Sequence, residues 1–140
     1  MSSDSGGARQ LFVPMLAYRD AGRAIEFLCR AFGFEERFRM EGEGGTIGHA
    51  ELGYQGHVIA LASAWDGAGM ASPSELGGVH TQLLCYVTDV DAHHARARAA
   101  GAIVINEPAD EPYGIRRYRV TDLEGHRWMF ASPLEGGAGQ

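Results

Sequence analysis

The chain has 140 residues, 45% of them hydrophobic and 21% charged, a size at which one core buries about two-thirds of the surface the unfolded chain exposes. Twelve basic residues against eighteen acidic ones leave a net charge of −6, so no broad basic field exists to attract nucleic acid. The longest apolar runs, such as Val58 to Ala64, fall far short of the roughly 20 residues that span a bilayer, which argues against a membrane partner.

In chain order, residues 1–10 are small and polar, lack the apolar stretch of a signal peptide and are predicted to be a disordered N-terminus. Leu11 to Tyr18 reads as a strand. Asp20 is placed to cap a helix whose apolar residues Ala24, Ile25, Leu28, Ala31 and Phe32 recur at helical spacing, and Gly33 stops it. Three short strands follow at 35–40, 46–53 and 57–63, separated by Gly-rich turns at 41–45 and 53–56. Residues 64–79, glycine-rich and containing Pro73, are predicted to be a mobile linker. The second half repeats the order: a strand at 80–88, a helix at 90–100, and strands at 102–106, 115–121 and 127–132, with Asp122 to Gly125 as the last turn. Residues 133–140 are predicted to be a flexible tail. Cys29 and Cys85 lack CxxC spacing and a disulfide-dense pattern, which points to free thiols in a reducing cytoplasm.

The two halves are related by more than element order. Gly56-His-Val-Ile-Ala-Leu-Ala-Ser63 and Gly125-His-Arg-Trp-Met-Phe-Ala-Ser132 lie 69 positions apart and share Gly, His, Ala and Ser in register. The same offset lays Tyr18-Arg19-Asp20 over Val87-Thr88-Asp89, each the end of an apolar run followed by a helix-capping Asp. One domain over 11–132 is therefore expected, built from modules 11–63 and 80–132.

This pseudo-twofold βαβββ repeat resembles the vicinal-oxygen-chelate superfamily, which holds the glyoxalase I, fosfomycin-resistance, extradiol-dioxygenase and bleomycin-resistance families. The specific pieces are Tyr18-Arg-Asp20 with Phe27 to Gly33, Asp89-Val-Asp91 with Ala99-Ala-Gly101, and Tyr113-Gly114 followed by Asp122-Leu-Glu-Gly-His126. The resemblance implies an α+β fold, two tandem βαβββ modules whose curved mixed sheet surrounds a cavity, with helices on the outer face. It is nearest the bleomycin-resistance-like branch and implies a homodimer. In metal-dependent relatives the positions equivalent to Val13, Ala60, Gln82 and Met129 supply the ligands. A divalent ion needs several His or carboxylate ligands, so neither a metal nor another cofactor is expected here.

Strand parity then nominates the cavity. If position 13 faces inward, so do Met15 and Ala17; Val58, Ala60 and Ala62; Gln82, Leu84 and Tyr86; and Arg127, Met129 and Ala131. The alternate residues, Ile59, Leu61, Leu83, Cys85, Val87, Trp128 and Phe130, are expected to meet the helices. An apolar cup with a few polar anchors is what a small-molecule site looks like. His49 and Glu51 share a strand face and form either a proton-transfer dyad or a plain hydrogen-bonded pair. The 69-residue offset lays Tyr118 over His49 and so adds a phenol to the cup. Trp65 in the linker packs on the domain or closes over the cup as a stacking lid.

Arg116, Arg117, Arg119 and Arg127 form a basic spot. Paired with Glu107, Glu111 and Asp122 they are a solvated strand edge; otherwise Arg127, best placed by parity, anchors an anionic or carbonyl-rich ligand. His57, His80, His93, His94 and His126 read as structural, His94 as packed or half-buried. The expected function is metal-independent binding and sequestration of a small aromatic or natural-product ligand. The alternative is a glyoxalase-like lyase, isomerase or cyclase using His49 and Glu51 or a relocated metal site.

Overall fold

A computed structural model of the chain describes residues 9–65, 67 and 69–134. The N-terminus up to residue 8, expected to be disordered, and the tail from residue 135, expected to be flexible, lie outside the described residues. The first module runs β1 (Met15–Tyr18), α1 (Ala21–Phe32), β2 (Glu35–Glu41), β3 (Ile47–Tyr54) and β4 (His57–Ser63). The second runs β5 (Leu83–Tyr86), α2 (Val90–Ala99), β6 (Ile103–Asp110), β7 (Ile115–Thr121) and β8 (Arg127–Pro133). Each module is a four-stranded mixed sheet, in the orders β1-β4-β3-β2 and β5-β8-β7-β6, with β1–β4 and β5–β8 as the parallel pairs. Among the described residues no helix is long and apolar enough to cross a membrane.

The helix boundaries follow the residues nominated by sequence. The Asp20 carboxylate accepts from the Arg23 amide at 3.1 Å, and Asp89 accepts from the Ala92 amide at 3.1 Å. Gly33, at φ +87°, ends α1 in the left-handed region, its amide bonded to the Cys29 carbonyl.

Both helices pack against each other and share one core with the helix-side faces of both sheets. Phe32 sits at its centre, its ring 5.4 Å from Trp128, 4.8 Å from Phe130 and 6.0 Å from His93. A buried carboxylate ties the modules together: Asp122 accepts from the Tyr18 hydroxyl at 2.6 Å and from Trp128 Nε1 at 3.1 Å. A carboxylate taken out of water is tolerable only with such donors around it.

Several expectations are corrected. Strand β1 starts at Met15, because Pro14 has no amide for the ladder and Leu11 and Phe12 are exposed. Gln10 is held in place, its amide donating to the Val58 carbonyl and accepting from the Val58 amide. At the other end, Pro133 belongs to β8 and the Leu134 amide bonds to the Gly114 carbonyl. Strand β5 covers only Leu83–Tyr86, whereas β6 extends to Asp110 through register shifts, tolerating Pro108 because it is an edge strand. The connection between modules is pinned: Ser72 is buried and bonds to Glu124, and Pro73–Glu75 forms a single 3-10 turn.

Among the described residues the two four-stranded sheets are not closed into one. They share their helix-side core, so the opposite face of each, the intended cup lining, lies outside it.

Candidate functional site

On the outer face of the first module, pairing sets Met15 beside Ala60, Ala60 beside Glu51, Glu51 beside Phe38 and His49 beside Met40. His49 Nε2 lies 3.1 Å from Glu51 Oε2, and the two side chains are 31% and 41% exposed. The Phe38 ring lies 6.1 Å from the imidazole. A carboxylate accepting from one ring nitrogen leaves the other free to take a proton, so the pair has the chemistry of a weak base. Neither residue lines either of the two cavities described next.

The second module's outer face carries Leu84 beside Met129, Tyr86 beside Ala131, Arg119 on the other side of Met129, and Arg127 beside Thr121. The arginines of β7 are differently engaged, Arg116 on the helix side and Arg117 and Arg119 on this outer face. Arg116 is held between Asp91 and Asp110, Arg117 pairs with Glu111, and Arg119 donates to Asn106 Oδ1 at 3.2 Å. The expected partners Glu107 and Asp122 are occupied elsewhere, Glu107 by Arg98 and His94 and Asp122 by Tyr18 and Trp128. Arg127 has no carboxylate partner among the described residues.

Two cavities adjoin β5. An open depression of about 650 Å³, its surface about evenly polar and apolar, is lined by Gln82 and Arg127 together with Pro73, Gly78, Val79, His80, Thr81, Thr121 and Gly125. An apolar one of about 510 Å³ lies between the modules, with Phe12, Pro14, Phe34, Tyr54, Val58, Leu84, Tyr86 and Trp128 among its walls. Of the nominated residues, Gln82 and Arg127 meet in the first and Tyr86 lines the second. Met129 is buried on the second module's outer face beside Leu84 and lines neither, Met15, His49 and Glu51 lie on the other module, and Trp65 is exposed after β4.

Tyr118 is the residue that sequence misplaced. It is fully buried on the helix side, paired with Phe130, and bonds to His93 Nδ1 at 2.7 Å. Paired positions Gly53 and Val58 enclose four residues, whereas Thr121 and Arg127 enclose five, so β7 is displaced by one relative to β8. A one-residue shift reverses strand parity. The true counterparts of His49 and Glu51 are therefore Arg117 and Arg119.

His94 is half-buried, as expected, its ring edge-on to Tyr118 at 5.1 Å, and His93 is the fully packed helix histidine. Its Nε2 lies 2.9 Å from the Phe32 carbonyl, which can only accept, so Nε2 carries the proton and Nδ1 accepts from Tyr118. Burial lowers the His93 pKa and raises that of Tyr118. His126 is also structural, its Nε2 2.9 Å from the Ala17 carbonyl. Sequence reasoning also missed the cavity residues Thr81, Thr121 and Gly125. The polar cluster Val79-His-Thr-Gln82 ahead of an apolar strand was the available signal.

The pattern of the Glyoxalase/Bleomycin resistance protein/Dioxygenase superfamily matches residues 10–130. The chain belongs to that superfamily. An uncharacterized Mycobacterium bovis protein is 36% identical over 124 residues, 86% of this chain and 82% of its own length. An uncharacterized Mycobacterium tuberculosis protein is also 36% identical over 124 residues, 73% of its length. Among solved structures, TioX from Micromonospora sp. ML1 matches with a TM-score of 0.70 at 36% identity, covering 90% of this chain and 98% of that one. FosX, a fosfomycin resistance protein from Listeria monocytogenes, matches at 0.67 with 15% identity over 93% of this chain and 98% of its own, a likeness of fold alone.

The metal positions implied by the superfamily hold Val13, Ala60, Gln82 and Met129, two alkyl groups, one amide and one thioether. Among the described residues no group of three or more His, Cys, Asp or Glu side chains converges. This donor set does not fit a hard or borderline divalent ion.

Proposed function

We propose that this superfamily member binds a small organic molecule, an antibiotic or other natural product with a planar or conjugated body, and sequesters it without conversion and without a metal. The observation that carries the reading is the separation of the cavity walls from the paired His49 and Glu51. The cavities flanking β5 offer apolar and hydrogen-bonding surface, while His49 and Glu51 stand on the other module's outer face, outside both. A proton-transfer group acts only within hydrogen-bond reach of the atom it serves.

Both outer faces leave large apolar side chains in water, including Met15, Phe38, Met40, Leu84 and Tyr86. A second copy covering them would take this apolar surface out of water, so the functional unit is a homodimer. Cys29 and Cys85 are free, in keeping with a cytoplasmic protein.

The test is a binding screen of conjugated natural products on metal-free protein, read by quenching of Trp128, which borders the apolar cavity. A ligand recovered unchanged, with weaker binding in Trp65→Ala and Tyr86→Ala, is expected. A ligand converted to a new product by wild type, but bound intact by His49→Ala or Glu51→Gln, overturns sequestration in favour of the enzyme.

A further inference from the structure

Resting on that small-molecule reading, we infer that the ligand bears a carboxylate and that Arg127, with Gln82 beside it, grips this group at the polar end of the second module's outer face. In a chain of net charge −6, the lining of the 650 Å³ cavity contains no Asp or Glu. Its polar groups are the Arg127 guanidinium, the Gln82 amide, the Thr81 and Thr121 hydroxyls and the His80 ring. Such a lining repels nothing anionic and offers donors from several sides.

Arg127 is available for this because the neighbouring arginines are engaged. Arg116 and Arg117 have carboxylate partners and Arg119 has the Asn106 amide oxygen, whereas Arg127 has no hydrogen-bond acceptor among the described residues. The cavity is also built without it. Glu124 takes the Ser72 hydroxyl and the Arg19 and Asp20 amides, which fixes the wall carrying Pro73 against the turn before β8. Gly125 at φ +99° lets that turn close up: a Cβ there would lie 3.4 Å from Pro73 Cβ.

A guanidinium presents two parallel N–H groups that match the two oxygens of a carboxylate. One guanidinium flanked by the Gln82 amide and the Thr81 and Thr121 hydroxyls suits a singly charged group. From Gln82 into β5 the same face continues through Leu84 to Tyr86, polar to apolar, over about 13 Å of strand. The ligand class that follows is an aromatic or conjugated carboxylic acid, charged end at Arg127 and flat body along Leu84 and Tyr86.

The experiment compares 2-naphthoate with its neutral isostere 2-naphthamide, titrated into the full-length protein and followed by NMR of the Arg127 Nε–H and Gln82 amide resonances. Naphthoate should bind at least about tenfold more tightly than naphthamide, and Arg127→Gln should abolish that preference while leaving naphthamide within about twofold. Arg127→Lys should retain part of the preference. Gln82→Leu, a milder change at the same site, should reduce it in a protein whose spectrum is otherwise native. Equal binding of the two probes by wild type, or a preference that survives Arg127→Gln, overturns the carboxylate anchor and leaves small-molecule binding standing. Absence of any shift with either probe also overturns it, and the natural-product screen then judges the broader reading alone. Chemical conversion of naphthoate would instead sink sequestration and leave the carboxylate preference intact.

Discussion

Helix α1 enters the shared core with Ala24, Ile25, Phe27, Leu28, Ala31 and Phe32, whereas α2 buries only Val90, His93 and Ala97. The two helices occupy equivalent places in equivalent modules, yet the first is held mainly by apolar area, whereas the second adds to a small apolar contact two hydrogen bonds to one imidazole and the bonds from Arg96 to the Arg30 and Cys29 carbonyls. His93 reaches from α2 to the carbonyl of Phe32 at the end of α1 and to Tyr118 on β7. A duplicated scaffold thus keeps its geometry while exchanging one form of cohesion for another. The polar version demands a fixed tautomer and a partner of the right chemistry, where the apolar version demands only volume.

The comparison breaks most severely at Phe32, which serves both helices. Phe32→Ala should cost about 3–5 kcal/mol in urea unfolding, and a loss below 1 kcal/mol would show that the modules do not share a core. Next in size is the polar clasp: Tyr118→Phe leaves His93 Nδ1 buried without a donor and should cost about 1–3 kcal/mol. A variant as stable as wild type would remove the clasp from the account.

The same histidine makes stability depend on pH. Burial lowers its folded pKa below the ordinary 6.5, so the unfolded chain binds the proton more readily. Stability from this group is complete above that ordinary value, and it declines as pH falls from there toward the folded pKa. Thermal melts between pH 7.5 and 5, interpreted through this linkage, should fall less steeply for His93→Gln than for wild type. Parallel slopes would mean that the proton is taken up elsewhere.

The smallest effect belongs to the first module's outer face. His49→Ala should change stability by no more than about 0.5 kcal/mol, since an exposed His–Glu pair contributes little. A larger loss would mean that the pair braces β3.

Much of the fold was legible because helix caps and strand alternation are local. Asp20, Gly33 and Asp89 announce their roles within a few residues, and the 69-residue repeat follows from sequence identity alone. Strand faces were legible only where parity could be carried without a break. Met129, Leu84 and Arg127 follow from β8 and its parallel partner, and Gln82 and Arg127 do meet. Tyr118 failed because the turn from Asp122 to His126 inserts one residue that no apolar pattern marks. Both faces of β7 carry residues plausible inside or outside, arginine with a long stem or tyrosine with a hydroxyl, so alternation there is silent about direction. The way the modules pack depends on long-range contacts between Phe32, Trp128 and Phe130, which no local spacing encodes.

The pinned connection has a kinetic meaning. The Ser72–Glu124 bond holds Pro73, one wall of the 650 Å³ depression, against the turn before β8. On the proposed function, a small molecule would bind there without a loop closing after encounter. Stopped-flow traces should therefore show one phase whose observed rate climbs linearly with concentration, without the plateau that a conformational step imposes. Ser72→Ala, which loosens the wall, should introduce that plateau and shorten residence of the bound molecule.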